Sequence, residues 1–150
     1  LGVSRPTVYE YLNFFEQTYL INLVRPFSGS KDVEIKSLPK IYFGDTGILN
    51  RVAQVSAGQV FENKVFNQLF TKQAYTEKGE INYYQTKTGV EIDFVVDKRA
   101  AYEVKLTATK YHVAGLKKIA EKLNLGQAEV VSLEKVRGNG EGIVYPFGLS

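Results

Sequence analysis

Gly89-Val90-Glu91-Ile92-Asp93-Phe94-Val95-Val96, followed after a polar turn by Ala101-Tyr102-Glu103-Val104-Lys105, is the stretch on which the reading of this chain turns. Two runs rich in β-branched and aromatic residues flank Asp97-Lys98-Arg99-Ala100, the pattern of a β-hairpin. We expect strands over 90–96 and 101–106, with a further strand over 81–85 set off by Thr88-Gly89. Side chains alternate between the two faces of a strand. Val90, Ile92, Phe94 and Val96 then share one face, and Glu91, Asp93 and Val95 the other. In the next strand Tyr102, Val104 and Leu106 oppose Ala101, Glu103 and Lys105. If the apolar faces coincide, Asp93, Glu103 and Lys105 lie on one side, and an Asp93–Glu103 pairing brings their Cβ atoms within ~5 Å. Carboxylates that close repel unless a proton or a cation intervenes.

The flanking segments alternate helix and strand. Gly58 is expected to break the chain before a helix over 60–74, whose apolar positions are Val60, Phe61, Val65, Phe66, Leu69 and Phe70. Glu62 precedes Val65 and Leu69 by one and two turns, so it points along the stripe that faces the core, where a carboxylate requires a partner. Val113, Leu116, Ala120 and Leu123 mark a second helix over 110–123, ended by Asn124 or Gly126. Strands over 129–133 and 143–145 complete the pattern, with a flexible turn at Gly138-Asn139-Gly140-Glu141-Gly142.

At the other end, Ser4 and Pro6 suit a helix N-cap and first turn, and Val8, Leu12, Phe15 and Tyr19 form an amphipathic stripe. Short apolar runs at 21–24 and 40–43 flank a polar stretch with Ser28-Gly29-Ser30. Helix followed by hairpin resembles the second half of a winged helix, in which Arg5, Thr7 and Tyr9 are candidates to contact DNA. The plainer reading is a helix that packs against a neighbouring domain. Asp45 or Thr46 can cap a short helix through Ile48, Leu49 and Val52. The chain thus divides into a connector over 1–56 and an α/β domain over 57–150.

Composition narrows the chemistry. With 44% hydrophobic residues, ten Tyr and nine Phe in 150 residues, a packed core is expected. The absence of Cys rules out disulfides, thiolate zinc sites and cysteine nucleophiles, and the lone His112 makes imidazole clusters and Ser-His-Asp hydrolysis poor options. His112 itself reads as a surface or capping residue. Any metal is then held by oxygen, which favours Mg²⁺ or Mn²⁺. A net charge of +3 tolerates nucleic acid without demanding it. No phosphate loop, signal peptide or membrane-length apolar run is present, and a cytoplasmic location is expected. The opening at Leu1, inside a helical motif, suggests a piece of a longer protein.

From residue 60 the order helix, three strands, helix, strand, with Asp93 ahead of Glu103-Val104-Lys105, resembles the restriction-endonuclease-like αβββαβ core of the PD-(D/E)xK nuclease superfamily. Lys40-Ile41-Tyr42-Phe43-Gly44-Asp45-Thr46-Gly47, Val60-Phe61-Glu62-Asn63, Gly89 to Val95 and Tyr102 to Lys105 extend the likeness to the C-terminal region of prokaryotic AAA-type ATPases, a domain of unknown function that follows the ATPase module. The resemblance implies Asp93, Glu103 and the Val104 carbonyl as ligands of Mg²⁺ or Mn²⁺, with Glu62 as a further acid and Lys105 positioning water or phosphate. Two departures are visible: Ile92 stands where the superfamily has Pro, and Gln85 where the ATPase family often has Arg. The implied activity is metal-dependent hydrolysis of DNA phosphodiester bonds. The alternative is a catalytically silent module that binds DNA or protein and regulates the attached ATPase.

Overall fold

The computed structural model describes residues 2–27, 38–76, 79–86, 88–136 and 140–146. Four helices and seven strands are formed among them: α1 (Arg5–Gln17), β1 (Ile21–Pro26), β2 (Lys40–Phe43), α2 (Thr46–Val52), α3 (Ala57–Thr76), β3 (Ile81–Gln85), β4 (Glu91–Val96), β5 (Ala100–Lys105), α4 (Lys110–Lys122), β6 (Gln127–Ser132) and β7 (Ile143–Val144). The strands make one mixed sheet in the order β2-β1-β3-β4-β5-β6-β7. β3, β4 and β5 form an antiparallel meander, β6 and β7 run parallel beyond β5, and β1 pairs in parallel with β3. The β1–β2 hairpin is therefore the edge of this sheet. Ser28-Gly29-Ser30 between its strands, like Gly138 and Asn139, lies outside the described residues.

Both faces of the sheet are covered, which is why its central strands are nearly continuous in apolar residues. On one face Phe61, Val65, Phe66 and Leu69 of α3 pack on Val24, Tyr42, Phe94, Val96, Tyr102 and Val104. On the other, Val113, Leu116 and Ala120 of α4 pack on Ile92, Val95, Ala101 and Val130. The helix ends are set by local chemistry. Ser4 Oγ accepts from Thr7 N–H, and Asp45 Oδ1 accepts from Gly47 N–H at 2.5 Å. His112 is a capping residue: Thr109 and His112 satisfy each other's backbone N–H groups at the start of α4. Asn124, in the left-handed region at φ 55°, ends α4.

Three expectations are corrected. Gly58 does not break the chain ahead of α3; the helix begins at Ala57, since the Ser56 and Gln59 side chains each accept from the other's backbone N–H in a capping box that holds the turn containing Gly58. Leu106 lies beyond the end of β5 and is exposed. The third correction concerns β4. Asn82 pairs with Val95 but Tyr84 pairs with Ile92, so Asp93 and Phe94 together oppose Tyr83. This β-bulge reverses the alternation: Ile92 faces α4, whereas Phe94 and Val96 face α3. The four apolar residues do not share a face.

Asn63 is the buried polar residue that fixes α3 to the sheet edge. It is 2% exposed, its Oδ1 accepts from Phe43 N–H, and its Nδ2 donates to Phe43 O, both at 2.8 Å. Asn63→Ala strands both groups of a partly buried peptide. The expected cost is about 2–3 kcal/mol, read as a lower urea midpoint with an unchanged slope.

α1 remains largely open. None of its residues is buried, and Val8, Tyr9, Tyr11 and Phe14 are exposed. Leu12 and Phe15 are half-buried, so the amphipathic stripe is only partly covered among the described residues.

Candidate functional site

The β4 bulge and the end of the β4–β5 ladder together position the acids. Ladder pairs run from Val96–Ala100 to Phe94–Tyr102. At the next step the Asp93 side chain replaces a backbone acceptor: its Oδ2 accepts from Val104 N–H at 2.8 Å. Asp93 thus sits in the fork between the two strands rather than on a plain strand face. Glu103 and Lys105 alternate with Val104, whose side chain belongs to the α3-side core, and at this strand end Lys105 is within electrostatic reach of Asp93 and of Glu62 on α3. Glu103 Oε1 and Lys105 Nζ are 2.9 Å apart.

Glu62 approaches from α3. Its Oε1 accepts from Tyr42 OH at 2.6 Å and lies 3.5 Å from Lys40 Nζ. Lys40, the first residue of β2, joins Tyr42 in the cluster, and neither has a role legible from sequence alone. Its ammonium is ion-paired with Glu91 Oε1 and lies 3.8 Å from Asp93 Oδ1, with the Tyr83 ring centroid 5.4 Å away. Lys40, Tyr42 and Glu62, with Gln59, Asn63 and Val55, line a hollow of about 320 Å³ beside the sheet edge. The signal that could have found Lys40 is its place at the head of the Lys40-to-Gly47 motif.

Electrostatics tie the two halves together. Burial, and then the charge of Glu62, push the Asp93 carboxyl up to about 6, against the pull of Val104 N–H, Lys40 and Lys105. Burial lowers Lys105, but Glu103, Asp93 and Glu62 more than offset it and hold it above its ordinary value as an ammonium. Lys40 is likewise raised, burial being outweighed by Glu91, Glu62 and Asp93. Burial and Glu62 also raise Tyr42, which keeps its phenolic proton for Glu62. Four carboxyl groups, Glu62, Glu91, Asp93 and Glu103, share two ammonium groups, and the cluster is short of positive charge.

Of the residues expected at the site, Glu62, Asp93 and Lys105 come within electrostatic reach of one another, and Glu103 joins through Lys105. No three of the described acidic or histidine residues form a ready metal cage. A full cage is not required for Mg²⁺, which keeps several waters and is commonly held by one or two carboxylates. Arg5 and Tyr9 are placed elsewhere, lining a groove with Val8, Leu12, Leu38, Pro39 and Ile41, and the Thr7 hydroxyl is engaged with Ser4 at 2.9 Å. No described helix is long and apolar enough to cross a membrane.

The fold and site together define an α/β protein with a half-buried lysine–carboxylate cluster at the fork of a central hairpin. The chain belongs to the family described as domain of unknown function (DUF4143), whose model matches residues 57–147. A second, domain of unknown function (DUF8612), matches residues 1–59. Uncharacterized protein MJ1544 of Methanocaldococcus jannaschii is 29% identical over 148 residues. The match covers 93% of this chain but 32% of that relative, so the chain spans about a third of its length. No solved structure matches.

Proposed function

We propose that this chain is a PD-(D/E)xK-type nuclease domain, a divalent-metal-dependent endonuclease acting on DNA phosphodiester bonds and attached to an ATPase module in a longer protein. The observation that carries the reading is Asp93 in the strand fork, its carboxyl held up to about 6 amid an excess of acid over base. That shortage of positive charge fits a hard divalent cation. The order α3, β3, β4, β5, α4, β6 supports a restriction-endonuclease-like core, with α1 and the β1–β2 hairpin as the partial winged-helix segment. Arg5, Thr7 and Tyr9 are the proposed DNA contacts of that segment.

Asp93, Glu103 and the Val104 carbonyl would hold Mg²⁺ or Mn²⁺, with Glu62 as a further acid. The ion would polarise the scissile phosphate and lower the pKa of its water. Tyr42 orients Glu62 by donating to Oε1, and Val104 N–H orients Asp93 by donating to Oδ2. Lys105, kept as an ammonium, suits charge stabilisation on the phosphate rather than proton abstraction.

Plasmid nicking by the purified chain in Mg²⁺ or Mn²⁺ tests the reading. Lys105→Ala is expected to slow nicking by about 100-fold or more, the effect of removing one preorganised donor. Equal nicking by Lys105→Ala would place the activity elsewhere. No nicking by the native chain, with normal DNA retention, would favour the silent regulatory module.

A further inference from the structure

We propose that Lys40 is a tethered cation that competes with the divalent ion for Asp93 and Glu62, and thereby sets how tightly this chain takes a metal. The inference rests on the metal-dependent reading above.

Four groups hold the ammonium. Glu62 Oε1 lies at 3.5 Å, Asp93 Oδ1 at 3.8 Å, Glu91 Oε1 is in direct ion contact, and the Tyr83 ring closes another side at 5.4 Å to its centroid. Exposed lysines usually gain little from any single partner. Here the Lys40 side chain is 27% exposed and is drawn from a separate edge strand onto acids of α3 and β4. The choice of oxygen matters most. Asp93 Oδ2 accepts from Val104 N–H, Oδ1 carries no such backbone bond, and Oδ1 is the oxygen that Lys40 faces. On Glu62, Oε1 is likewise shared by Lys40 and Tyr42.

A divalent ion entering at Oδ1 meets a fixed positive charge on the same carboxylate. In a site partly shielded from water, that repulsion weakens binding until the ammonium withdraws. Glu91, in direct ion contact, is the anchor that keeps Lys40 in place.

Mn²⁺ alone is the probe, titrated calorimetrically into the whole chain and into Lys40→Met and Lys40→Arg. Lys40→Met is expected to bind Mn²⁺ roughly tenfold more tightly or better, whereas Lys40→Arg, which keeps the charge, stays near the native affinity. Melting curves in chelator report whether each variant folds, and Lys40→Gln replaces the Met variant if that one does not. Mn²⁺ affinity unchanged or weakened by removing the charge would overturn the inference while leaving the metal site standing. Absence of Mn²⁺ binding in both the native and charge-free chains would sink the metal reading and this inference together.

Discussion

Asp93→Asn is expected to make the metal-free protein more stable at pH 7.5 while abolishing Mn²⁺ binding and DNA nicking. The sign follows from the carboxyl being held up to about 6, above its ordinary 3.8. Between those values the folded state keeps a proton that the unfolded chain has released. Native stability therefore falls as pH rises from about 4 to about 6, and levels off above that window. The side chain is 14% exposed, so solvent screens little of this, and the loss is on the order of 3 kcal/mol. Asn removes the charge yet keeps an oxygen for Val104 N–H, and Lys40 retains Glu91 and Glu62. Melting temperatures of the two proteins in chelator from pH 4 to 8 should meet near pH 4 and separate above it, with the Asn variant higher. Adding Mn²⁺ should reverse the order, because free ion at about 1,000 times Kd stabilises the native chain alone by about 4.1 kcal/mol. An Asn variant less stable than native at pH 7.5 without metal would show that Asp93 is a satisfied structural acid.

Phe66→Ala is expected to cost the most stability of any single truncation near the site, about 3–5 kcal/mol. Phe66 is 1% exposed. It stacks on Tyr42 with ring centroids 4.5 Å apart, and lies 5.6 Å from Phe70 and 6.1 Å from Phe94. The cavity would open where α3, β2 and β4 meet, beneath the Tyr42 ring whose hydroxyl holds Glu62. For a domain whose whole margin is about 5–15 kcal/mol, the loss lowers the melting temperature by roughly 10 °C or more. Phe66→Leu, which refills much of the volume, should recover most of it. If Phe66→Ala melts within about 2 °C of native, the aromatic stack is not what supports the site.

Much of this architecture is written locally. Hydrophobic periodicity places α3 and α4, apolar runs place β3 to β6, and Ser4, Asp45 and Asn124 mark helix ends through bonds within a turn of themselves. Glu62, Asp93 and Lys105 are legible as a group because they recur at strand and helix positions that a sheet with a covering helix brings together. The pairing of Ser56 with Gln59 is equally local, and it outweighs the helix-breaking tendency of Gly58.

The rest is decided by tertiary structure. A bulge costs one residue of register, and nothing in Ile92-Asp93-Phe94 alone says that Tyr83 will oppose two of them. Yet that slip takes Asp93 off the strand face and into the fork where Val104 holds it. Lys40 is the second case: its charge, its strand and its motif are all in the sequence, but the acids it meets belong to α3 and β4. Amino-acid order by itself determined which segments become helix or strand and which side chains carry charge, because propensity and periodicity act over a few residues. Only the folded sheet decided which charges meet, because strand register and edge pairing are set by burying both faces at once.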